Sequence, residues 1–188
     1  SDFESMLSTL IYPLRNAIRY QAALDLAMRD PLTGIANKMA MDGQLQREIA
    51  LGFRHSEPMS VIMLDLDFFK MVNDTFGHPI GDRVLRSLSM FLKQRLRKTD
   101  HIGRYGGEEF AIILPATRES DARNVLNEIR ERFSELLQPA GDREFNVTFS
   151  CGVAAWKGDT SQAICERADR ALYRSKAQGR NCVTAAGD

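Results

Sequence analysis

Two glycines and two glutamates stand between apolar runs in Arg104-Tyr105-Gly106-Gly107-Glu108-Glu109-Phe110. The pattern predicts a hairpin tip in which Gly-Gly supplies the positive φ angles of a tight two-residue turn, between strands over residues 100–105 and 110–114. Side chains alternate along a strand, so at least one carboxylate should face whatever the tip serves unless the turn re-aims one. A solvated hairpin explains a bare G-G-E-E equally well, so the rest of the chain has to decide.

Composition describes one ordinary domain with a modest extension. The chain has 188 residues and 44% apolar residues, enough for a core. Lys plus Arg and Asp plus Glu both number 25, so no overall basic field indicates a nucleic-acid partner. Cys151, Cys165 and Cys182 are odd in number and lack metal-site spacing, which predicts reduced, buried thiols and a cytoplasmic location. The chain could equally be the cytoplasmic portion of a membrane-bound or multidomain protein, since it starts at Ser1.

The first 29 residues predict a connector or signalling helix that precedes a domain over residues 30–188. Pro13 marks either its start or a kink. Two arrangements remain open, a parallel coiled coil with a second copy and a helix packed on its own domain. A break rich in turn-forming residues at 30–38 separates the two parts. The helical spacing is carried by Leu7, Leu10, Leu14, Ile18, Leu24 and Met28.

The domain itself predicts an α+β fold with a central, mostly antiparallel sheet flanked by helices, ferredoxin-like in its core. Asp82 and Ser120 read as N-caps of two of the helices. The predicted elements are a helix at 39–53, a buried strand at 60–64, an irregular segment at 72–82, helices at 83–97 and 120–137, strands at 144–150 and 153–156 that either meet at a hairpin turn around 141–142 or follow it, a helix at 161–177 and an edge strand at 182–184.

A second acidic pair follows the predicted buried strand, in Asp65-Leu66-Asp67. Two carboxylates two residues apart share one face if the strand continues. Oxygen ligands at a strand end suit Mg²⁺, which is commonly held by one or two carboxylates together with substrate phosphates. A solvated strand end is the competing interpretation.

Four separated stretches together resemble the GGDEF family of diguanylate cyclase domains. The resemblance covers residues 30–183, and Leu172-Tyr173 with Lys176 and Gly179-Arg180-Asn181 adds the C-terminal signature of the family. The four stretches are Asp30-Pro31-Leu32-Thr33-Gly34, Asp65-Leu66-Asp67-Phe68-Phe69-Lys70 with Asn73-Asp74, Phe76-Gly77-His78 with Gly81-Asp82, and Arg104–Phe110.

The resemblance implies a palm-like sheet, as in nucleotide cyclases, and a reaction that condenses two GTP molecules into cyclic di-GMP with release of two pyrophosphates. Each domain would hold one GTP, and two domains would have to meet face to face as a homodimer. Mg²⁺ is the implied cofactor, with Mn²⁺ as the alternative. The input signal and the upstream domains do not follow from the sequence.

Site residues follow from the same resemblance. Glu108, Asp65 and Glu109 would be catalytic, with either Glu108 or Asp65 as the base for the 3′-hydroxyl. Asp67 would have a supporting part. The implied metal ligands are Asp65, Leu66, Glu108 and Glu109, and the implied GTP-binding residues are Asn73 and Asp82 for guanine, Lys70, Lys176, Arg180 and the main-chain N–H groups of Phe68 and Phe69 for the phosphates, and Gly106 and Gly107 for close approach of the ligand.

An Arg-x-x-Asp pattern, Arg97 to Asp100, precedes Gly106 with five residues between Asp100 and the glycine. By resemblance it would be the site at which the product binds and inhibits, with a partner arginine drawn from Arg118, Arg123 or Arg130. Two other function classes remain as alternatives. One is a catalytically silent receptor for GTP or cyclic di-GMP, and the other is a palm-fold polymerase or adenylate cyclase, which Asn73 and Asp82 disfavour.

Overall fold

A computed structural model describes residues 2–187, with the side chains of 11–24 and 26–187. Its helices are α1 (Asp2–Ala27), α2 (Lys38–His55), α3 (Phe69–Phe76), α4 (His78–Arg95), α5 (Glu119–Ser134) and α6 (Ser161–Ala177). Its strands are β1 (Ala36–Asn37), β2 (Met59–Leu66), β3 (His101–Arg104), β4 (Glu109–Pro115), β5 (Gln138–Ala140), β6 (Arg143–Phe145), β7 (Phe149–Ala155) and β8 (Val183–Ala185).

One six-stranded sheet, in the order β1-β3-β4-β2-β7-β8, organises the domain. The four inner strands pair antiparallel, and the short edge strands β1 and β8 pair parallel with β3 and β7. The predicted α+β class with a mostly antiparallel sheet is therefore confirmed. A separate hairpin is formed by β5 and β6.

Strand β2 lies inside the sheet, paired with β4 on one side and β7 on the other, and is buried along its whole length. Its side chains alternate between two apolar layers. Ile62 and Leu64 face the larger layer, with residues of α4 and α5, whereas Val61 and Met63 face a smaller layer built with α2 and α6. Helices on both faces thus enclose the strand that ends in the acidic pair.

Helix α1 confirms the predicted N-terminal helix, and Pro13 lies inside it rather than at its start. Its described apolar side chains face solvent. Leu14 and Ile18 are 63% and 62% exposed, so this part of the helix is not packed on its own domain. The side chains of Leu7 and Leu10 lie outside the described set. Within residues 2–187, no helix is long and apolar enough to cross a membrane.

The irregular segment predicted at 72–82 is wrong, because α3 and α4 occupy almost all of it. Only Gly77 interrupts them, with φ 86 and ψ 157. Buried Phe69 and Val72 anchor α3 in the larger layer, so tertiary packing outweighs the local preference of this segment for turns. Asp82 consequently lies inside α4 and is not its N-cap.

Strand β7 runs unbroken through Gly152, although the sequence predicted a break there and a strand over 144–150. A β-carbon at Gly152 would lie 2.0 Å from the carbonyl oxygen of Ala168 and 2.2 Å from the amide nitrogen of Leu172. The glycine therefore marks the close approach of α6 rather than a turn. The predicted turn at 141–142 is confirmed, but it joins β5 and β6.

Three smaller predictions are corrected. Helix α5 begins at Glu119 with Arg118 at the N-cap position, so Ser120 is inside the helix and does not cap it. Strand β1 was not predicted, since two residues carry no periodic signal. Of the thiols, only Cys151 is buried, whereas Cys165 and Cys182 are partly exposed.

Candidate active site

Asp65 and the two glutamates meet where β2 and β4 pair. Asp65 lies directly opposite Glu109 in the antiparallel register, so these two side chains share a face of the sheet. Glu108 stands one residue before β4, and its carbonyl oxygen accepts a hydrogen bond from the Leu66 amide at 3.3 Å. The structure thus brings together the three predicted catalytic carboxylates.

Burial and mutual repulsion act on these carboxylates. Burial raises the pKa of Asp65 above its ordinary value, and the charges of Glu109 and Asp67 add to the effect, although Lys176 opposes it. Burial also raises the pKa of Glu108, followed by the charge of Asp65. The Asp65 charge thus acts on Glu108, which lies just before β4 and so outside the regular alternation of that strand.

Lys176 supplies the positive charge at this point. Its Nζ lies 2.9 Å from Oδ2 of Asp65, whose side chain is only 7% exposed. Lys176 is in the last turn of α6, which packs on β7 at Gly152 and so reaches this end of the sheet. Its own side chain is 33% exposed, so it is open to a ligand in solvent.

The carboxylates at this site fit a divalent cation whose coordination is completed by a bound ligand. Among residues 2–187, no group of three or more His, Cys, Asp or Glu side chains is arranged around one metal position. The charge of Asp65 nevertheless adds to the cost of ionising Glu108, and the charges of Glu109 and Asp67 add to that of Asp65, so a cation at this cluster would offset the repulsion. Two carboxylates with phosphate oxygens are a common Mg²⁺ environment.

The glycine tip differs from the predicted two-residue turn. Four residues, 105–108, join β3 to β4, and Tyr105 and Gly106 donate their amides to the Glu109 carbonyl oxygen at 2.8 and 3.3 Å. Neither Gly106 nor Gly107 has φ in the left-handed region, because a four-residue loop does not need the primed turn. A β-carbon at Gly106 would lie 2.6 Å from Oε2 of Glu109, whereas one at Gly107 would meet nothing within 4 Å.

Arg104 fastens this loop, a role that the sequence analysis did not assign. Its guanidinium donates to the Gly107 carbonyl oxygen at 2.7 and 3.2 Å and to both carboxylate oxygens of Asp30 at 3.1 and 3.2 Å. Burial acts to raise the pKa of Asp30, but hydrogen bonds from Thr33 and Arg104 bring it below its ordinary value. We refer to Asp30, Arg104 and Gly107 as the loop clamp.

The two guanine candidates lie on neighbouring helices. Asn73 is in α3 and Asp82 in α4, and both are partly exposed. A β-carbon at Gly81 would lie 2.0 Å from Oδ1 of Asn73, so the missing side chain lets the backbone of α4 next to Asp82 lie against Asn73. Because Asp82 does not cap α4, capping no longer explains its presence.

The phosphate candidates surround the turn from β2 into α3. Phe68 is the N-cap residue of α3, with φ 55, and its ring is 55% exposed. The Arg180 guanidinium lies 4.6 Å from the centre of that ring. Lys70 is exposed in the first turn of the same helix. The start of α3, with its main-chain N–H groups, therefore lies beside the Arg180 guanidinium and carries Lys70 in its first turn.

Asp67 has a different environment from Asp65. It accepts hydrogen bonds from the hydroxyls of Thr148 and Ser150, both at 2.7 Å, and from the Asn181 amide at 2.9 Å. Asn181 and Arg180 both have left-handed φ values, 46 and 66. Asp67 therefore holds the strained loop that carries Arg180, and its partners lie 81 or more residues away, so sequence proximity gave no signal for them.

The predicted inhibitory pattern forms a tight turn away from the carboxylates. Oδ2 of Asp100 accepts a hydrogen bond from the Arg97 amide at 2.7 Å. The Arg97 side chain is exposed. Strand β3 separates this turn from the glycine tip. Of the candidate partner arginines, Arg130 is committed to Asn181 and Glu131, at 2.8 and 3.0 Å.

Comparison with known proteins gives one consistent family. A family model described as "Diguanylate cyclase, GGDEF domain" matches residues 27–182. The response regulator PleD of Caulobacter vibrioides is 42% identical over 174 residues, which are 90% of this chain and 38% of PleD. Diguanylate cyclase DgcP of Pseudomonas aeruginosa is 40% identical over 156 residues, 82% of this chain and 23% of DgcP. The chain thus spans well under two thirds of the length of these relatives.

Two solved structures share the fold over nearly the whole chain. The coiled coil and GGDEF domain of DgcB from Caulobacter crescentus, in complex with c-di-GMP, has a TM-score of 0.91 and 33% identity, covering 98% of this chain and 100% of that one. Diguanylate cyclase SiaD of Pseudomonas aeruginosa, in complex with its activator SiaC, has a TM-score of 0.81 and 38% identity, covering 98% of this chain and 74% of that one.

Proposed function

This chain belongs to the GGDEF family of diguanylate cyclase domains, and from that premise we propose that it condenses two GTP molecules into cyclic di-GMP and two pyrophosphates. The observation that carries the proposal is the cluster of Asp65, Glu108 and Lys176 at the paired ends of β2 and β4. Phosphoryl transfer depends on positioning and on neutralisation of developing charge, and this cluster provides groups of both signs. The cytoplasm, where GTP is made and used, is the proposed location.

The proposed division of labour assigns residues 30–188 to catalysis and 1–29 to connection and signalling. Asp65, the Leu66 carbonyl oxygen, Glu108 and Glu109 would hold Mg²⁺ or Mn²⁺. The cation, when bound, supplies charge neutralisation at the phosphates. Lys70, Lys176, Arg180 and the amides of Phe68 and Phe69 would bind the same phosphates, while Gly106 and Gly107 leave room for the nucleotide.

Base selection would come from Asn73 and Asp82. The guanine edge presents N–H donors that a carboxylate accepts, and a side-chain amide can both donate and accept. Adenine has no ring N–H at that edge, so the pair favours GTP over ATP. The proximity of the two residues across Gly81 supports this assignment.

The reaction requires two copies of the domain. Each 3′-hydroxyl oxygen would bond to the α-phosphorus of the GTP in the opposite copy, while Glu108 or Asp65 takes the proton and pyrophosphate leaves. A homodimer with facing sites is therefore part of the proposal. Product bound at Arg97 and Asp100 would join domains in a nonproductive arrangement and so give feedback inhibition. The crystallised c-di-GMP complex of DgcB supports product binding by this family.

The decisive experiment incubates the protein with GTP and Mg²⁺ over a range of protein concentrations and separates the nucleotides by chromatography. We expect cyclic di-GMP to form at a rate that rises faster than linearly with protein concentration, because two half-sites must meet. GTP binding without product at any concentration would contradict the cyclase and favour a receptor. A rate strictly proportional to protein concentration down to low concentrations would contradict a dissociable dimer.

A further inference from the structure

The small hairpin of β5 and β6 contacts both helices that carry the guanine candidates. The ring of Phe145, the last residue of β6, stacks on that of Phe76, with centres 4.4 Å apart and planes 15° from parallel. On the other strand, the Pro139 carbonyl oxygen accepts a hydrogen bond from the Arg83 guanidinium. One hairpin is therefore attached to α3 and to α4.

Both attachment points lie next to the proposed base-reading residues. Phe76 is in the same two-turn helix as Asn73, and Arg83 directly follows Asp82. The two helices are joined by one residue, Gly77, which has a left-handed φ of 86. A short helix on a glycine junction has little to fix its angle except its packing partners.

Helices α3 and α4 pack so closely at Gly81 that there is no room for a side chain there. At Gly81 a single β-carbon would already overlap Oδ1 of Asn73, at 2.0 Å, and would lie 3.1 Å from the ring of Phe69. A small change in the angle of α3 would therefore alter the distance between Asn73 and Asp82. The Phe76–Phe145 stack is at the C-terminal end of α3, directly before the Gly77 junction, and so helps to fix the angle at which α3 meets α4.

We propose that the β5–β6 hairpin is a positioning element for guanine recognition, with Phe145 as its principal residue. Phe145 acts through Phe76 and touches no substrate itself. It holds Asn73 at the distance from Asp82 that suits the amino-bearing edge of guanine. The proposal rests on the proposed function, since it assumes that Asn73 and Asp82 read the base.

The test compares GTP with ITP, whose base lacks the exocyclic amino group of guanine but is otherwise the same size. For Phe145→Ala we expect kcat/KM for GTP to fall by about three- to tenfold, chiefly through KM, in keeping with the loss of one aromatic pair. ITP makes no amino-group contact to lose, so its kcat/KM should change less. The GTP/ITP ratio should therefore shrink by about threefold or more.

Three further variants make the result specific. Phe145→Tyr keeps the ring and should keep the wild-type ratio. Phe53→Ala removes another surface aromatic contact, 4.8 Å from Trp156 and outside the hairpin, and should leave the ratio unchanged. Arg83→Ala removes the second attachment through an exposed side chain, and should shrink the ratio even if Phe145→Ala does not fold.

The outcomes separate this inference from the function on which it rests. The positioning role would be overturned if kcat/KM in Phe145→Ala fell equally for GTP and ITP, or fell for neither. If Phe145→Ala does not fold, an unchanged GTP/ITP ratio in Arg83→Ala would overturn it instead. Wild-type protein that makes no cyclic product from GTP, or that does not prefer GTP to ITP, would instead contradict the proposed function. Thermal unfolding of each variant establishes that it is folded.

Discussion

Asp65 and Glu108 carry charge in surroundings that disfavour it. Burial is the first cause of the raised pKa in both, and Asp65 adds its own charge to the environment of Glu108. A carboxyl group with a raised pKa in the folded state destabilises the fold wherever it is ionised. Ionised Asp65 and Glu108 therefore lower the free energy of unfolding, and a bound cation would offset this loss.

For Glu108→Gln we expect loss of product, by at least about a hundredfold, together with a gain in stability. The gain should be complete above the folded pKa of Glu108 and should vanish as pH falls below the unfolded value of about 4.3, where the wild-type group is neutral too. Thermal unfolding between pH 3.5 and 8 measures this, with a rise of about 1–3 °C at pH 8. Glu57→Gln, at an exposed loop residue, should show neither effect. A Glu108 variant with wild-type turnover would remove this carboxylate from the proposed metal site.

Arg97 offers a cleaner test of the proposed inhibitory site than Asp100. The Asp100 carboxylate accepts from the main-chain amide of residue 97, so its removal would also loosen the turn, whereas Arg97→Ala keeps that hydrogen bond. We expect Arg97→Ala to raise the cyclic di-GMP concentration for half inhibition by about tenfold or more, because a planar cation that binds guanine or phosphate is lost. The KM for GTP should stay the same. Inhibition that persists unchanged, while Lys98→Ala behaves as wild type, would refute the site.

Among the helices and strands, the sequence predicted best those in which hydrophobic pattern and local propensity indicate the same structure. The apolar run of β2 and the amphipathic α6 were predicted at nearly their observed positions, because burial and helical period agree with local propensity there. Helix α3 and the first five residues of α4 were missed because turn-forming residues fill this segment and only tertiary packing favours a helix there. The break predicted at Gly152 arose because a glycine required by a neighbouring helix has the same sequence signature as a turn.

The candidate site divides in the same way. The carboxylates and their cations could be predicted because the family motifs carry them in order along the chain. The Asp30–Arg104 contact of the loop clamp and the partners of Asp67 could not, since they join residues 74 or more positions apart through hydrogen bonds that leave no periodic trace. Pairing across such distances depends on the assembled sheet.

Two glycine substitutions should have opposite effects on stability. Gly152→Ala would press a β-carbon against main-chain atoms of α6 that cannot rotate away, and we expect it to lower the free energy of unfolding by about 2–4 kcal/mol. Gly43→Ala lies within α2 with nothing within 4 Å of the new carbon, and should raise it by about 0.5–1 kcal/mol. Urea unfolding followed by circular dichroism measures both. A neutral Gly152→Ala would mean that α6 and β7 are less closely packed than described.

For the whole molecule, α1 presents apolar side chains that its own domain does not cover. Ile11, Leu14 and Ile18 are 53%, 63% and 62% exposed and follow a three-four spacing. A seam of this kind suits a parallel coiled coil with a second copy, which would bring two catalytic domains together.

We expect the double change Leu14→Lys and Ile18→Lys to weaken self-association by at least about tenfold, because charge replaces apolar side chains along the seam. Specific activity should fall at low protein concentration and recover as concentration rises. Analytical ultracentrifugation and the cyclase assay measure the two effects. Tyr20→Lys, at a residue that is 68% exposed but off the seam, is the control. Unaltered association in the double variant would assign dimerisation to another surface.

The loop clamp also determines where this domain can be joined to a foreign N-terminal segment in a fusion protein. Asp30 belongs to the turn that follows the helix, yet its carboxylate shares the Arg104 guanidinium with the glycine tip. A foreign sensor helix spliced in before Asp30 would leave that contact whole. A splice a few residues later would keep every strand together with Asp65, Glu108 and Glu109, but it would remove the Asp30 carboxylate from the clamp and yield a folded domain whose glycine tip is less firmly held.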